Sequence, residues 1–349
     1  MSDFDLLMIT EPLLCWYKKN KRDLPWRHDP TPYRVWISEI MLQQTRVDPV
    51  IPYYLRFLEE VPDVNALAAL PEDQLMKLWE GLGYYSRARN LQKAAKIIAA
   101  EGAFPADFNG WLALPGIGEY TAGAICSIAL GLPTPAVDGN VLRVISRLLG
   151  SFEDITLPAV KKEFTGALAK IYPLGETSDF TQSLMELGAT VCLPNGEPRC
   201  SDCPVVDLCI ARKQGWIDQI PVKTAKKPRK VEEKTVLILR CGEQIALHRR
   251  PKKGLLANLW EDPNFEGKRN EQALLEMFRQ WNPSNLKKLP DSIHIFSHIE
   301  WHMTGYCVTL ENKCSEYSWF SIQEVLEQKA IPAAFRCYTD YLKNIRYEE

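Results

Sequence analysis

Apolar residues in the first two-thirds of the chain recur at intervals of three and four positions. Leu75, Leu78 and Leu82 show this spacing, and Pro and Gly interrupt it repeatedly. Because side chains three or four positions apart share one face of a helix, the pattern predicts helices. Sustained alternation of apolar and polar residues is missing between residues 1 and 221. This part is therefore predicted to be an all-α domain.

The pattern changes after a polar stretch. Residues 222–234 contain few large apolar side chains, so they are predicted to be a linker. The apolar run Thr235–Arg240, a turn with Gly242 and the run Gln244–His248 then predict a β-hairpin. Residues 235–349 are predicted to be an α+β domain without internal repeats. Its further strands are expected at Ile293–Phe296 and Tyr306–Leu310, and its helices at Asn270–Gln280 and Ile322–Gln328.

Composition adds limits to this picture. The 349 residues, with 46% hydrophobic side chains and 10 cysteines, exclude a disordered chain and a small disulfide-stapled scaffold, and they predict two domains. The first ten residues lack a basic start and a cleavage site, so no export signal is expected. There is also no run of about 18 apolar residues. The cytoplasm is the expected location.

Charge divides at the same boundary as the hydrophobic pattern. Residues 1–222 carry 21 basic and 27 acidic side chains, and residues 223–349 carry 21 and 17, so the two charges are −6 and +4. The total of −2 argues at face value against a protein that coats nucleic acid, because such proteins usually have a basic surface.

The segment Leu114–Ile125 contains a glycine-rich loop that opens into a helix. Gly116 and Gly118 let the backbone approach a phosphate, and the free N–H groups at a helix start favour an anion. The small residues Ala122–Ala124 allow close helix packing. The pattern is typical of a helix-hairpin-helix motif, which binds a DNA phosphate without Lys or Arg. The alternative is a simple turn and helix C-cap.

Four of the ten cysteines lie within eighteen residues: Cys192, Cys200, Cys203 and Cys209. In a reducing compartment such a cluster indicates metal ligation rather than disulfides. Four thiolates at short spacing suit a zinc ion or an iron–sulfur cluster, and the spacing alone does not separate the two. The other six cysteines are scattered, as buried apolar residues or idle thiols would be.

Two carboxyl groups are candidates for acid–base chemistry. Glu39 lies in the otherwise apolar segment Trp36–Thr45, where burial would raise its pKa and let it hold a proton near neutral pH. Its alternative is a solvated glutamate on a helix surface. Asp138 precedes the helical run Val141–Leu149, and taken alone it is an N-cap.

Taken together in this order, these motifs resemble the helix-hairpin-helix DNA glycosylase superfamily with an iron–sulfur cluster, and more narrowly the adenine DNA glycosylases of the MutY family. The resemblance covers essentially the whole chain. It includes further segments that match the family: Leu24–Arg27, Gly81–Asn90, Val137–Val141, Met185–Ala189 and Phe296–His298. It implies a monofunctional base excision repair enzyme that hydrolyses the N-glycosidic bond of adenine mispaired with 8-oxoguanine or guanine.

The resemblance also assigns roles to residues. Glu39 is the expected acid and Asp138 the group that stabilises the sugar cation, with Tyr120 and Asn140 ordering the site. Arg27 and Glu186 would hold the flipped adenine and Trp26 would line its pocket, although Glu186 could instead be an ordinary exposed helical glutamate. Gly116 and Gly118 would bind a DNA phosphate. Gln44, Leu82 and Tyr84 would be wedge residues that enter the duplex around the oxidised guanine. Phe296, Ser297 and His298 would contact the oxidised base itself.

The cofactor, partners and location follow from the same resemblance. The four clustered cysteines would bind a [4Fe-4S] cluster, and the partner would be double-stranded DNA with an 8-oxoguanine:adenine or guanine:adenine mispair. The protein would be a monomer at the nucleoid of a bacterium. Phosphates would be held by the hairpin, by Arg87, Arg89 and Arg143 and by the positive C-terminal third, so binding of two domains around DNA should be salt-sensitive.

Tyr120 distinguishes this chain from bifunctional relatives. In the glycosylase–lyases of the superfamily the matching position is a lysine that forms a Schiff base, which tyrosine cannot do. The alternatives are an endonuclease III-like glycosylase and lyase, and a non-catalytic DNA-damage-binding protein. The carboxyl groups at both catalytic positions disfavour the second of these.

The family has a Nudix-like C-terminal domain. A Nudix hydrolase needs several glutamates on one helix to hold magnesium, and Asn270–Arg279 offers only Glu271 and Glu276, so this domain is expected to bind rather than hydrolyse. The family loop around His298 has an alternative interpretation, in which His294, His298 and His302 only pack across strands.

Two departures from the family pattern stand out. The gap between Cys192 and Cys200 holds seven residues where six are usual, and one extra loop residue is expected to be tolerated. Asn258 and Asp262 stand where the family usually has glycine and phenylalanine. This second departure puts the packing of the C-terminal domain, and with it the discrimination of 8-oxoguanine, in question.

Overall fold

The computed structural model describes residues 5–225 and 228–348, which form fifteen α-helices and seven β-strands. The helices are Thr10–Asn20 (α1), Pro32–Leu42 (α2), Val47–Glu60 (α3), Val64–Ala69 (α4), Glu72–Leu78 (α5), Ser86–Glu101 (α6), Phe108–Leu112 (α7), Glu119–Ile128 (α8), Gly139–Leu149 (α9), Pro158–Ala169 (α10), Thr177–Thr190 (α11), Ile210–Gln214 (α12), Glu271–Met277 (α13), Ile322–Gln328 (α14) and Arg336–Glu348 (α15). The strands are Lys230–Cys241 (β1), Gln244–Arg249 (β2), Trp260–Glu261 (β3), Asn264–Glu266 (β4), Pro283–Ile295 (β5), Ile299–Leu310 (β6) and Ser318–Ser321 (β7).

The chain divides into two compact units. The first comprises Met1–Ala69 and Asn90–Ala225, and the second comprises Leu70–Arg89 and Lys226–Glu349. The segment Leu70–Arg89, which the sequence analysis placed in the all-α domain, thus groups with the C-terminal part. Within the described residues, no helix combines the length and the apolar composition needed to span a bilayer.

The first unit is helical, as predicted, and side chains define where its helices begin and end. The hydroxyl of Thr31 accepts a hydrogen bond from the Arg34 N–H at the start of α2. Gly150 ends α9 in the left-handed conformation, and a Cβ there would lie 2.5 Å from the Cγ2 of Ile210. Only glycine satisfies both conditions.

One apolar core of the first unit lies between α1, α9, α10 and α11. Its side chains include Leu13, Val144, Phe164, Phe180 and Leu184, all buried. The small residues of α8 bring another part of the chain close, because a Cβ on Gly123 would lie 2.3 Å from the carbonyl oxygen of Pro135. The close packing predicted for Ala122–Ala124 is therefore present.

The second unit is built on a mixed sheet. Its strand order is β3-β2-β1-β6-β5, with β4 paired to β1 and β7 paired to β2. The β1–β6 pair is parallel and the other pairs are antiparallel. Both faces are covered, since Val236 and Ile238 face one apolar cluster while Leu237 and Leu239 face another. A strand buried on both faces has a continuous apolar sequence, which explains the run at Thr235–Arg240.

Several predicted elements of the second unit are confirmed, and other strands begin earlier in the chain than predicted. The β1–β2 hairpin is present, and α14 has the predicted bounds. β1 begins at Lys230, inside the predicted linker, and β5 begins ten residues before the predicted Ile293. β5 is an edge strand with mostly exposed residues, so it lacks the apolar alternation that marks a half-buried strand. The sequence did not predict the short strands β3, β4 and β7, because two to four residues are too few to show an alternation of apolar and polar positions.

Candidate active site

A cavity of about 880 Å³ opens within the first unit. It lies among side chains from α2, α8, α9 and α11 and from the loop before α2. Nine residues selected from the sequence line it: Trp26, Arg27, Glu39, Gln44, Gly118, Tyr120, Asp138, Asn140 and Glu186. The fold therefore brings together positions that are up to 160 residues apart in the chain.

Glu39 is buried in the wall of this cavity. Only 6% of the residue is exposed, because α2 is apolar on nearly all sides and packs into the unit. The hydroxyl of Tyr120 donates a hydrogen bond to its Oε2 over 2.6 Å. Burial raises the pKa of Glu39 to about 7, while the Tyr120 hydrogen bond opposes the rise and the nearby charge of Asp138 adds to it. The solvated-surface alternative for Glu39 is wrong.

Asp138 caps α9 and faces the same cavity. Its Oδ1 accepts hydrogen bonds from the backbone N–H groups of Asn140 (2.9 Å) and Val141 (2.8 Å), and its Oδ2 accepts one from the Asn140 side chain (2.9 Å). The N-cap interpretation is therefore right as geometry, and it coexists with a position in the cavity wall. Three donors of the helix start hold this carboxylate in one orientation, whereas Glu39 is held by apolar surroundings and a single donor.

Glu186 is not an exposed glutamate. It is 1% exposed on α11, and two arginines bind it: Arg22 Nε lies 2.7 Å from Oε1 and Arg27 NH2 lies 2.7 Å from Oε2. Arg22 contributes two further donors, its backbone N–H and NH2. Although burial alone raises the pKa of Glu186, the two guanidinium groups hold it below its usual value. The carboxylate is thus ionised and fully occupied by protein donors.

Sequence reasoning missed two members of this group. Arg22 pairs with Glu186, and Gln182 accepts a hydrogen bond from Arg27 Nε over 3.0 Å. Gln182 lies four positions before Glu186, so both share one face of α11, and this spacing was a usable signal. Arg22 had no such signal, because it lies in an irregular segment outside any helix or strand.

The glycine-rich loop connects α7 to α8, as the helix-hairpin-helix pattern predicts. Gly116 has φ +79°, and a Cβ there would lie 2.5 Å from Cβ of Asn90. Gly118 directly precedes α8, and the space beside its Cα is open. The first glycine is therefore required by the turn itself, while the second leaves the start of α8 accessible.

The four clustered cysteines lie on the loop between α11 and α12, and none of them forms a disulfide. They are close enough to affect one another, since the charges of Cys192, Cys200 and Cys209 each raise the pKa of Cys203 after burial, which raises it most. Within residues 5–225 and 228–348, no group of three or more His, Cys, Asp or Glu side chains is arranged to hold a single metal ion. The extra residue before Cys200 lies in a turn closed by a hydrogen bond from Arg199 N–H to the Val191 carbonyl.

Two arginines of α9 link the cavity to the cysteine loop. Arg143 donates to the Asn140 side chain (3.0 Å) and to the backbone carbonyls of Gly188 and Cys192. One turn later, Arg147 NH1 lies 3.3 Å from Cys192 Sγ. A continuous set of hydrogen bonds therefore runs from the Asp138–Asn140 pair to the first cysteine.

Arg143 is consequently not available for DNA, which corrects the sequence interpretation. The residue is 3% exposed, and its guanidinium is occupied by the contacts just described. Arg87 and Arg89, proposed with it as phosphate ligands, also make protein contacts: Arg87 NH2 donates to the Leu82 and Gly83 carbonyls, and Arg89 pairs with Glu72. Burial lowers the pKa of Arg87 to about 10.

The remaining predicted site residues belong to the second unit. Leu82 is buried, whereas Tyr84 is 47% exposed and has φ +46°. The hydroxyls of Tyr84 and Ser297 are 2.8 Å apart. Ser297 and His298 are exposed in the turn between β5 and β6, which follows Phe296. The fold thus joins the two segments that the sequence analysis connected with the oxidised base.

The other two histidines near this turn have packing roles. His294 contacts the Phe296 ring edge-on with centroids 4.6 Å apart, and His302 lies 2.8 Å from a Glu300 oxygen. Both contacts join residues two positions apart in sequence. Across the strands, His294 is paired with Trp301 and His302 with Ile293, as the cross-strand interpretation requires, whereas His298 lies in the turn.

The glutamates of α13 do not form one face. Glu271 and Glu276 are five positions apart, which corresponds to about 140° around a helix, and both are exposed. Glu276 lies 3.4 Å from Arg279.

Comparison with known proteins agrees with this architecture. Residues 37–170 match the HhH-GPD superfamily of base excision DNA repair proteins, and residues 235–340 match the NUDIX domain. The adenine DNA glycosylase of Homo sapiens is 36% identical, and the match covers 86% of this chain and 67% of the human one. The adenine DNA glycosylase of Buchnera aphidicola (subsp. Schizaphis graminum) is 35% identical, and the match covers 87% of this chain and 88% of the Buchnera one.

A solved structure shares the fold of the first unit. The structure of a thermostable thymine-DNA glycosylase matches with a TM-score of 0.54 at 27% identity, covering 59% of this chain and 96% of that one. The family resemblance, the all-α glycosylase domain and the Nudix-like domain predicted from the sequence are confirmed. The chain belongs to the adenine DNA glycosylases of the HhH-GPD superfamily and is a DNA glycosylase of base excision repair.

Proposed function

We propose that this enzyme binds duplex DNA as a monomer, removes adenine paired with 8-oxoguanine or guanine, and leaves the strand intact. The observation that carries this proposal is the carboxyl group of Glu39, buried in the wall of a cavity large enough for a base and bound by Tyr120. A group with a pKa of about 7 holds a proton near neutral pH and can transfer it to a leaving base.

The reaction uses Glu39 twice. In the first step its proton moves to a ring nitrogen of adenine, and the electron pair of the C1′–N9 bond leaves with the base. The sugar becomes an oxocarbenium-like cation. In the second step the Glu39 carboxylate takes a proton from water, whose oxygen bonds to C1′, and the acid is restored.

Asp138 stabilises the cation formed between these steps. Its carboxylate lines the cavity and is fixed by the Asn140 side chain and by two N–H groups of the α9 start. A preorganised negative charge needs no rearrangement when positive charge develops on the sugar. Glu39 has apolar surroundings and one donor whereas Asp138 has three donors, so the two carboxyl groups suit different roles in the reaction.

Adenine is held by the part of the cavity around Trp26 and Arg27. The Trp26 ring is fixed by an edge-on contact with Tyr54 at 5.4 Å. Glu186 acts through Arg27, because its oxygens are already occupied by Arg27 and Arg22. Its role is therefore to orient the Arg27 guanidinium rather than to bind the base directly.

Strand cleavage is disfavoured by the residue at position 120. The tyrosine hydroxyl donates to Glu39 and cannot form a Schiff base with the sugar. This disfavours the endonuclease III-like alternative. The cavity with two differently held carboxyl groups disfavours the non-catalytic alternative.

Contacts with the duplex come from both units. In the first, the hairpin at Gly116 and Gly118 presents the start of α8 to a phosphate, and the exposed Gln44, with φ +60°, lines the cavity. In the second, Tyr84 enters the duplex beside the oxidised guanine, and Phe296, Ser297 and His298 contact the same base from the turn between β5 and β6. Leu82, which the sequence predicted to enter the duplex with Tyr84, is only 6% exposed and is not proposed for that role. The second unit binds and does not hydrolyse a nucleotide.

The cysteines at 192, 200, 203 and 209 hold a [4Fe-4S] cluster in this proposal. The residues fit such a group, since the four thiols share one loop, interact electrostatically and have the Arg147 guanidinium beside Cys192 Sγ. When bound, the cluster would cross-link the loop through four thiolates. Arg143 and Arg147 then connect that loop to α9, whose first turn holds Asp138.

Residues 1–221 are proposed as the catalytic domain and residues 235–349 as the 8-oxoguanine recognition domain, although Leu70–Arg89 is grouped with the latter. The cytoplasm of a bacterium remains the location predicted from the sequence.

Single-turnover incubation tests the proposal. Duplexes with adenine opposite 8-oxoguanine, guanine or thymine are treated with the enzyme, with and without alkali. We expect adenine release from the first two duplexes and strand breaks only after alkali. Breaks without alkali would support the endonuclease III-like alternative, and binding without release of adenine would support the non-catalytic one. Sedimentation at the same concentration tests the monomer.

The cluster has an independent test. Iron and sulfide analysis of the purified protein, with its visible spectrum, distinguishes a coloured iron–sulfur cluster from a colourless zinc thiolate site. A colourless protein with one zinc per chain would overturn this part.

A further inference from the structure

Two cations that line the cavity of the first unit are not used by the rest of the site. The basic side chains that line this cavity are Arg22, Arg27, Arg46 and Lys161. Arg22 and Arg27 both bind Glu186. Within the part of the chain that the structure describes, Arg46 and Lys161 form no ion pair and no side-chain hydrogen bond. Their charges are therefore available to a ligand.

Neither of these two cations is explained by the helix that carries it. Arg46 is the N-cap residue of α3, but its side chain makes no capping hydrogen bond, since a guanidinium has donors only. Lys161 lies one turn from the start of α10, whose first turn has no acidic residue. A positive charge close to a helix start is unfavourable, because the backbone N–H groups there already carry partial positive charge. The two side chains thus do not stabilise these helix starts.

The cavity is larger than a base requires. Pockets of about 300–1,000 Å³ hold whole drug-sized ligands, and this cavity has a volume of about 880 Å³. In the proposed function the base lies near Trp26 and Arg27, and the sugar lies against Asp138. A nucleotide in a DNA strand also carries a phosphate on each side of its sugar, and these phosphates come to the cavity together with it.

These phosphates would approach an acidic surface. Residues 1–222 carry 27 acidic against 21 basic side chains, and the carboxyl groups of Asp48, Glu119 and Asp138 line the same cavity. The glycine-rich hairpin offers backbone N–H groups to a phosphate but no cation. Among the side chains that line the cavity, the two unpaired cations are the groups that can offset the repulsion between phosphate and carboxylate.

We propose that Arg46 and Lys161 bind the phosphate groups that flank the extruded adenine, so that the cavity takes up a nucleotide with its phosphates rather than a base alone. The inference rests on the proposed function, in which adenine leaves the duplex and enters this cavity. It adds two cationic phosphate ligands to a unit whose hairpin contributes backbone N–H groups. Both residues bind DNA without taking part in the cleavage of the glycosidic bond.

Fluorescence anisotropy with two duplexes of equal length tests the proposal. One duplex is fully paired, and the other has 2′-fluoro-2′-deoxyadenosine opposite 8-oxoguanine; the fluorine destabilises the sugar cation, so the base stays attached. Lys161→Ala and Arg46→Ala should each weaken binding to the second duplex about fivefold to twentyfold. Each should also reduce the slope of log affinity against log salt concentration by about one. Binding to the paired duplex should change less than twofold, because no nucleotide is extruded.

Lys162→Ala is the matched control. Lys162 is the next residue of α10, is exposed and is not among the side chains that line the cavity. Its substitution should leave both affinities within twofold of the parent. Lys161→Arg keeps the charge and should retain most of the affinity for the mispaired duplex. Equal losses in Lys161→Ala and Lys162→Ala would contradict the proposal, because they would mean that only the general charge of this surface matters.

Uncharged phosphate analogues identify the bound group. Replacement of one phosphate beside the fluorinated nucleotide by a methylphosphonate should weaken binding by the parent about as much as the alanine substitution does. At the phosphate that the removed cation binds, the same replacement should weaken binding by the alanine variant less than twofold. Losses that add in full at every flanking phosphate would overturn the proposal.

The possible failures are distinguishable. If the parent binds the mispaired duplex no more tightly than the paired one, the recognition of mispaired adenine in the proposed function is wrong, and this inference falls with it. If the parent prefers the mispaired duplex and an alanine variant stays within twofold of the parent, the phosphate role of that residue is overturned. An equal loss of affinity for the paired duplex would overturn it as well.

Discussion

Glu39 in the first unit and Asp262 in the second are both buried carboxyl groups that no arginine or lysine side chain pairs with in the described residues. Burial raises the pKa of both, to about 7 for Glu39 and to about 8 for Asp262. The two sites differ in their partners. Glu39 accepts a hydrogen bond from Tyr120 and lines a cavity, whereas Asp262 is 0% exposed and neither of its carboxylate oxygens has a hydrogen-bond partner.

This difference shows that a raised pKa does not by itself indicate function. A buried carboxyl is useful when a substrate can reach it and a donor orients it, as at Glu39. Asp262 lies between β3 and β4, next to Glu261, whose charge adds to its raised pKa. Its burial is a cost to stability, and it stands where the resembled family usually has phenylalanine.

Removing the acid should give the largest effect. We expect Glu39→Gln to slow adenine release by about 10²- to 10⁴-fold, because glutamine cannot donate the proton. Duplex binding, measured by anisotropy, should stay within a few-fold of the parent. Asp262→Asn is the matched control and should release adenine at the parental rate; equal impairment of both variants would contradict the distinction between the two sites.

The pH dependence of the rate should separate the two groups next. Because Glu39 must be protonated to act, single-turnover release should fall about tenfold per pH unit above a pH of about 7. In the Asp262→Asn variant, this fall in rate above pH 7 (the alkaline limb of the pH profile) should occur at the same pH. A limb that moved with Asp262, or a rate that was flat from pH 6 to 9, would show that Glu39 is not the acid.

For the free energy of unfolding, in contrast to the rate, we expect the substitution at Asp262 to matter. A carboxyl whose pKa is raised in the folded state contributes most below its unfolded value, and this contribution is lost as the pH rises through the folded value. For Asp262 that window runs from about 4 to about 8. Asp262→Asn should therefore gain on the order of 2 kcal/mol at pH 8, since asparagine carries no charge but still lacks partners. Urea unfolding at pH 5 and pH 8 measures this, and an equal gain at both values would contradict it.

The smallest expected change comes from making Glu39 more like Asp262. Tyr120→Phe removes the single donor, whose hydrogen bond lowers the pKa of Glu39. The alkaline limb of the rate should then move to higher pH by a fraction of a unit to about one unit, with little loss below pH 6.5. A shift to lower pH would mean that the hydrogen bond favours the protonated acid.

The sequence carried enough information to identify most of the first unit's site, for a definite reason. Glu39 was recognisable because it is the acidic residue in an apolar helix, and Asp138 because an N-cap position has its own pattern. Arg22 and the burial of Arg143 were not recognisable, since each depends on α1, α9 and α11 packing side by side. Arg143 in particular was taken for a surface charge because the sequence does not show that its guanidinium meets the Gly188 and Cys192 carbonyls.

By itself, the sequence determined the helical character of the first two-thirds, the core strands, the cysteine cluster and the pair of carboxyl groups, because these depend on local periodicity and spacing. Tertiary structure decided which charged side chains are free to contact a substrate and which are occupied by other residues of the protein. It occupied Glu186 with two arginines, tied Leu70–Arg89 to the second unit through Glu72, and left Asp262 without a partner. The physical reason is that burial and hydrogen bonding join residues that are distant in the chain, and together they set whether a side chain is charged, free or fixed.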